Sequence, residues 1–409
     1  MTRYAVSAPG GEAEEVARSL TLLRQAVEPH LPWQAVELGR SWPDGNQRLL
    51  FKTLFEPPAA AADAWQEWRS HNDPEDMDVP SMRLVPQLHR RLRGLNIDDP
   101  WMPKFKGSYR KTWTNNQRML LGALPALSVL SKAGVPVLAL KGLALTLHYL
   151  GADFGLRSMF DLDLLVSSRR VLSVIDLLVA DGWHFNSARS IEYLKQKIVP
   201  RENGREFVKD GGHVDLHWHM LHQDPSVWMD EWVWKAVRPA EYRGYTLSVP
   251  SPAALLLNVC LHGVKWCKTP SIAWAADALR IVELARSDLD WTGLVEIARR
   301  RRLVLPLLDS LSFLGTVVEG VVPDDVLRNL REAPVSRIEH FEYDAISSDP
   351  GSRTPISQAA MAYLVSLRQR HAVVDPEAQL ESHTAWTNKA FAASTTRALS
   401  RSFAVRPRW

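Results

Sequence analysis

Three short stretches of this sequence hold residues whose types and spacing can do chemistry. In FDLDLLV, Asp161 and Asp163 stand two apart within an apolar run that reads as a strand. Side chains alternate along a strand, so both carboxylates project from one face while Leu162 and Leu164 point into a core. Two carboxylates a few ångströms apart resist ionising together unless a cation neutralises them. Hard oxygen ligands in that arrangement suit Mg2+, with Mn2+ the alternative, and a shared aspartate can bridge two such ions. Asp215, on the polar face of HVDLHWH, offers a third carboxylate from a strand of its own.

The remaining stretch lies upstream, where VPVLAL runs into Lys141-Gly142 and then directly into a helix. A helix start leaves backbone N–H groups and the positive end of the dipole free, which is where a triphosphate can rest. Glycine permits close backbone approach there, and Lys141 and Arg157 add charge against the β- and γ-phosphates. Each piece alone is common, and a solvent-facing pair of aspartates on a sheet is the plain alternative. The order strand, glycine, helix, Asp-x-Asp, then a strand with Asp is what points to a metal and phosphate site.

Other polar residues fit around this set. Alternation places His213, His217 and His219 with Asp215 on one face, and His222 follows. A zinc site there lacks cysteines, so these histidines read as the polar lining of the sheet, with His217 touching a phosphate or orienting Asp215. His262 and Lys265 share one expected helix and Asp277 the next; contact with a substrate and contact between helices are equally open readings. Trp65, Trp68, Trp232 and Trp234 read as packing rather than base-stacking residues.

The elements that must position these groups follow from periodicity. Helices are expected through Val16–Val27, Val85–Leu95 and Thr114–Ala133, the last stopped by Gly134, with a loop over His71–Pro80. Strands are expected at Val135–Leu140, Phe160–Val166 and His213–His219, with helices at Leu143–Leu150 and Ser173–Asp181 between them. From Pro252 the chain reads as helical again, over Ala253–Lys265, Ile272–Arg286, Trp291–Arg301, Leu303–Glu319 and Asp324–Glu332. The expected organisation is an N-terminal helical region (1–112), an α/β core (113–250), a C-terminal helical domain (251–375) and a basic, loosely held tail (376–409).

Composition narrows the class. With 46% hydrophobic and 23% charged residues the chain has the make-up of a globular protein. It has no apolar run of the roughly 20 residues a membrane span needs, and its first twenty residues lack the apolar segment of a signal peptide. Two cysteines, Cys260 and Cys267, expected on one helical face, argue against a disulfide framework and for the cytoplasm. A net charge of +3 is compatible with a phosphate-bearing ligand without requiring nucleic acid. The basic run Arg299–Arg302 reads as the solvated end of a helix.

LALKGLALTLHYL, RSMFDLDLLV and HVDLHWHM together resemble the bacterial uncharacterised nucleotidyltransferase family of the polymerase-beta superfamily. VPQLHRRL upstream, and LLLNVCLHGVKW with IAWAADALRIV downstream, extend the resemblance to roughly residues 80–330. It implies an α+β fold with a small mixed β-sheet and flanking helices, and transfer of a nucleoside monophosphate from an NTP, ATP foremost, to a hydroxyl acceptor with loss of pyrophosphate. The acceptor would be a protein, a peptide or a small molecule. By position, Asp161 and Asp163 would hold two Mg2+ ions and Asp215 the catalytic one, while Lys141, Gly142, Arg157, Ser158 and His217 would meet the nucleotide. Leu143 departs from the Gly or Ser that many superfamily members carry after the glycine. That departure keeps open a second reading, a nucleotide-binding or partner-recognition module without chemistry.

Overall fold

The computed structural model describes residues 30–31, 36–267 and 271–349. The helix expected through Val16–Val27 and the tail 376–409 lie outside the described residues. Seven strands form one mixed sheet: β1 (Leu138–Ala139), β2 (Leu162–Leu165), β3 (His184–Phe185), β4 (Gly204–Lys209), β5 (Gly212–His217), β6 (Val237–Tyr242) and β7 (Tyr245–Pro250). Their order across the sheet is β3-β4-β5-β2-β1-β7-β6. This is the expected α+β class, a mixed sheet with flanking helices.

The centre of the sheet is built by the runs that carry the aspartates. β2 and β5 pair in parallel, with Leu162 opposite Val214, Asp163 opposite Asp215 and Leu164 opposite Leu216. The four apolar members of these pairs are at most 1% exposed, so one face of both strands is core. Strict alternation then turns Asp163 and Asp215 together to the other face. β2 begins at Leu162 and not at Phe160, which leaves Asp161 in the bend just before the strand.

Two hairpins were not read from periodicity. β4 and β5 are joined through Asp210-Gly211 (φ +48° and +78°), and β6 and β7 through Arg243-Gly244 (φ +50° and +81°). Both are two-residue turns with positive φ at each central position, the twist that antiparallel strands accept.

Helices cover the sheet and extend it. α1 (Gly45–Phe55), α2 (Pro58–His71), α3 (Val85–Gly94) and α4 (Met102–Lys132) precede it; α5 (Lys141–Tyr149), α6 (Val171–Ala180) and α7 (Val227–Lys235) are interleaved with its strands. α8 (Pro252–Gly263), α9 (Ala273–Ala285), α10 (Trp291–Arg301), α11 (Val304–Val317), α12 (Asp324–Arg331) and α13 (Arg337–Ser347) follow. α4 starts well before the expected Thr114, because exposed charged residues between Phe105 and Thr112 hide its buried stripe. This 31-residue helix runs through position 112/113 and ends where expected. Gly134 N–H donates to Ser131 O and Val135 N–H to Leu130 O, the paired bonds of a glycine-capped terminus.

α8 is apolar nearly all round and buried from Pro252 to Leu261, as a central helix must be. Cys260 is inside it, but the helix ends at Gly263, so Cys267 lies beyond it and exposed. Trp65 and Trp68 are buried and stacked with ring centroids 5.4 Å apart, which is packing. A single continuous core joins the N-terminal helices, the sheet and the C-terminal helices. Among the described residues no helix is long and apolar enough to cross a membrane.

α4 reaches the sheet by backbone contact. A Cβ on Gly212 would lie 2.1 Å from the carbonyl oxygen of Gly122, so any side chain must push the helix off β5. Gly212→Ala is expected to destabilise the protein by about 1–3 kcal/mol, the usual cost of overpacking. Gly315→Ala, on α11 with nothing within 4 Å of the added carbon, should be neutral or stabilising. Denaturant unfolding of both variants checks this; equal stability would show that the Gly122–Gly212 contact yields freely.

Candidate active site

Parallel register forces the first contact of the site. Neighbouring strands lie about 4.8 Å apart, and Asp163 and Asp215 face each other across that gap. Two cationic side chains hold the pair together. Lys141 Nζ is 2.6 Å from Asp163 Oδ1 and 4.0 Å from Asp215 Oδ2. His217 Nε2 is 3.2 Å from Asp163 Oδ1 and 2.9 Å from Asp215 Oδ2. The other ring nitrogen, Nδ1, lies 3.3 Å from the Asn203 side-chain amide. His217 therefore bridges both aspartates, and its buried ring is part of the cluster, not only its lining.

The electrostatics follow from this geometry. Burial opposes charge on Asp163, but Lys141 and His217 outweigh it and hold its carboxyl below the ordinary range. Asp215 is likewise held down against burial, mainly by its bond to His217. Burial works against the imidazolium too, yet the two carboxylates push His217 up to about 9. Asp161 goes the other way, to about 6, through burial and the neighbouring charge of Asp163.

Lys141 reaches its position by an uncommon backbone conformation. It opens α5 with φ +39°, in the left-handed region that L side chains avoid. This outlier aims the ammonium at Asp163 and leaves the first turn of α5 without a side-chain cap. The next residue, Gly142, is needed for packing: a Cβ there would lie 2.5 Å from Met159 Cγ and 2.8 Å from Arg157 Nη1. Leu143 is 2% exposed and faces the core, not the site.

The segment that presses on Gly142 is fixed from α4. Buried Asn116 donates to the carbonyl oxygens of Phe154 and Arg157, each at 2.7 Å, and accepts from Met159 N–H at 2.9 Å. Arg157 is held further by Asp277 of α9, its Nε donating to both carboxylate oxygens at 3.0 and 2.9 Å. Asp277 is thus a helix-to-loop partner that holds the site loop against α9. Burial raises its carboxyl although Arg157 opposes the shift.

Next to these groups is a cavity of about 200 Å3 reached by Lys141, Ser158, Asp161 and Asp163 on one side and by His262 of α8 on another. Burial and then the charge of Lys141 hold His262 below its ordinary range, hence neutral. Lys265 falls beyond the end of α8. The other histidines of the cluster scatter: His213 bonds Glu206 at 2.8 Å and His219 bonds buried Asp230 at 2.6 Å.

Asp163, Asp215 and His217 each present a ligand atom within 4.8 Å of the others, a spacing at which they can hold a metal ion. The two carboxylates fit a divalent cation once Lys141 gives up its bond to Asp163, and His217 joins them as a ligand only when it has lost its Nε2 proton. Asp161 stands outside that tight group but beside it, on the cavity wall with Asp163. Of the residues singled out in the sequence, the structure gathers Asp163, Asp215, His217 and Lys141 into one network. It places Gly142, Arg157, Ser158 and Asp161 around it. Asn116 was missed as a site residue, although a polar residue on the buried stripe of α4 was the available signal.

The family model described as "Uncharacterised nucleotidyltransferase" matches residues 80–333, well over half of the 409-residue chain. No curated protein matches the chain significantly. The matched span begins just before α3 and ends just after α12, so it takes in every residue of the network and the cavity.

The raised value of His217 sets a pH test. A histidine whose folded-state value exceeds its ordinary 6.5 contributes stability that is complete below 6.5 and is lost as pH rises through about 9. The stability difference between wild type and His217→Gln should therefore be largest below that window and shrink across it. Chemical unfolding at several pH values measures the difference. A difference that stays constant would mean that His217 is not held as a cation between the two aspartates.

Proposed function

This chain belongs to the uncharacterised nucleotidyltransferase family, and from that membership we propose that it transfers a nucleoside monophosphate from an NTP to a hydroxyl acceptor. ATP is the expected donor, and the acceptor is a protein, a peptide or a small molecule. The supporting observation is the register that sets Asp163 against Asp215 beside the uncapped start of α5. In this reading Asp161, Asp163 and Asp215 hold two Mg2+ ions, with Mn2+ able to substitute. When bound, the ions would align acceptor and α-phosphate and neutralise the charge that gathers on the leaving pyrophosphate.

The chain's own residues have distinct parts in this proposal. Lys141, whose Nζ now bonds Asp163, would be free to meet the β- and γ-phosphates if divalent charge took its place beside that carboxylate. Arg157, held by Asp277, presents Nη1 beside Gly142, where the phosphates meet the free N–H groups of α5. Asp215 takes the proton of the acceptor hydroxyl as its oxygen bonds to the α-phosphorus. The bond from that phosphorus to the bridging oxygen breaks, and pyrophosphate leaves with the electron pair. His217 keeps Asp215 turned toward the reaction. An ATP-rich, reducing compartment, the cytoplasm, suits this chemistry.

NTPs labelled at the α-phosphate, incubated with the protein, Mg2+ and a lysate as acceptor pool, test the reading. Label should pass to an acceptor with wild type. Asp163→Asn and Asp215→Asn should lower transfer by at least about a hundredfold, the scale lost when groups supporting a bound metal are removed, while circular dichroism stays unchanged. Undiminished transfer in either variant would overturn the site. Nucleotide binding without any transfer would mark a nucleotide-sensing module instead.

A further inference from the structure

Phe160, the residue before Asp161, stands on the rim of the cavity. It is 67% exposed, the most exposed large apolar side chain among the described residues, and of the exposed ones it alone lines this cavity. Alternation along FDLDLLV predicts Phe160 on the core face with Leu162 and Leu164, which are at most 1% exposed. The bend before β2 turns it outward instead. Its neighbours hold it there: Met159 N–H donates to buried Asn116 at 2.9 Å, and Leu162 enters the sheet. An exposed ring forfeits the stabilisation that burial would bring, so a phenylalanine fixed in the open beside a charged cavity is a surface for contact.

Arg83 is the second member of the rim. It is exposed, lines the same cavity and sets its guanidinium 5.3 Å from the centre of the Phe160 ring, within the range of a cation–π contact. Among the described residues that guanidinium has no carboxylate or hydrogen-bond partner, although Asp161 and Asp163 line the same cavity. Leu84, next in the chain and wholly buried, anchors it. With Arg83 over one face of the ring, the exposed part of Phe160 is the opposite face and the edge.

Size decides what lies on this rim. The cavity of about 200 Å3 is below the ~300–1,000 Å3 of pockets that engulf a drug-sized ligand. Lys141, Asp161 and Asp163 line it, so in the nucleotidyl-transfer reading the phosphates take that space and the base and sugar lie outside its mouth. We propose that Phe160, backed by Arg83, is the stacking platform for the nucleobase of the NTP. The inference rests on that transfer reading. Stacking uses the π-face that every base has and reads none of its edge groups, so the platform tightens binding without selecting a base.

Calorimetry with Mg2+ present tests this. The ligands are the α,β-methylene analogues of ATP and UTP, which cannot be transferred, and inorganic tripolyphosphate, which has no base. Phe160→Ala should weaken both analogues by about tenfold or more, the scale of one base on one aromatic side chain, and leave tripolyphosphate binding as in wild type. Phe160→Trp, which keeps an aromatic face, should bind the analogues at least as tightly as wild type. Thermal unfolding confirms that both variants fold. Unchanged nucleotide affinity in Phe160→Ala would overturn the platform and leave transfer standing; if labelling of the acceptor fell at the same time, the ring would belong to acceptor binding instead. Equal weakening of tripolyphosphate would reduce Phe160 to a wall of the phosphate cavity and overturn the platform too. Failure of wild type to bind either analogue would remove the transfer reading and the platform with it.

Discussion

Two like charges on adjacent strands set the terms for the rest of this molecule. Asp163 and Asp215 are held opposite each other by strand register, and neither can turn away without moving Leu162, Leu164, Val214 or Leu216 out of the core. Removing charges from water is costly unless they are paired, so the fold must supply positive charge at that point. It does so with Lys141 at the end of one element and His217 further along β5. The left-handed backbone of Lys141 is local strain that the ion pair offsets. A cluster that balances its charge with movable side chains is also one that a divalent ion can enter.

The helices around the sheet act on this cluster through a short chain of contacts. Asn116 on α4 fixes the loop that ends in Arg157 and Met159, that loop presses on Gly142, and Gly142 opens α5 directly after Lys141. From the other side, Asp277 on α9 fixes Arg157. The N-terminal and C-terminal helices therefore share in positioning the site, and α3, α8 and α9 each contribute a wall of the cavity beside it. Sheet residues hold the charge, while helical residues decide what shape of molecule fits against it.

Much of this was legible in the sequence because it is written in local periods. Alternation in FDLDLLV and HVDLHWH reveals which face each aspartate takes, and the glycine after Lys141 reveals the strand-to-helix turn. Helices α3 to α6 and α8 to α12 followed from their spacing, whereas α1, α2, α7 and α13 were not read as elements. Two hairpins escaped because β6 carries Pro239 and β4 little apolar alternation, although Asp210-Gly211 and Arg243-Gly244 were turn signals. Gly142 was read as a place for phosphate, whereas its first constraint is contact with Met159 and Arg157. The cavity draws Gln87, Asn258 and Trp274 from positions too far apart along the chain for any local pattern to join them. Only the tertiary fold, which sets α3, α8 and α9 around one cavity, brings them to one place.

The central claim, that the Asp163–Asp215 pair is a cation site, is tested most directly by titrating the protein with Mn2+ and following the free ion by electron paramagnetic resonance. Wild type should bind Mn2+ saturably, Mg2+ should displace it, and Asp215→Asn should lose that binding while remaining folded. Binding of equal strength in Asp215→Asn, or none in wild type, would show that Lys141 and His217 are the permanent counter-charges of a purely structural cluster.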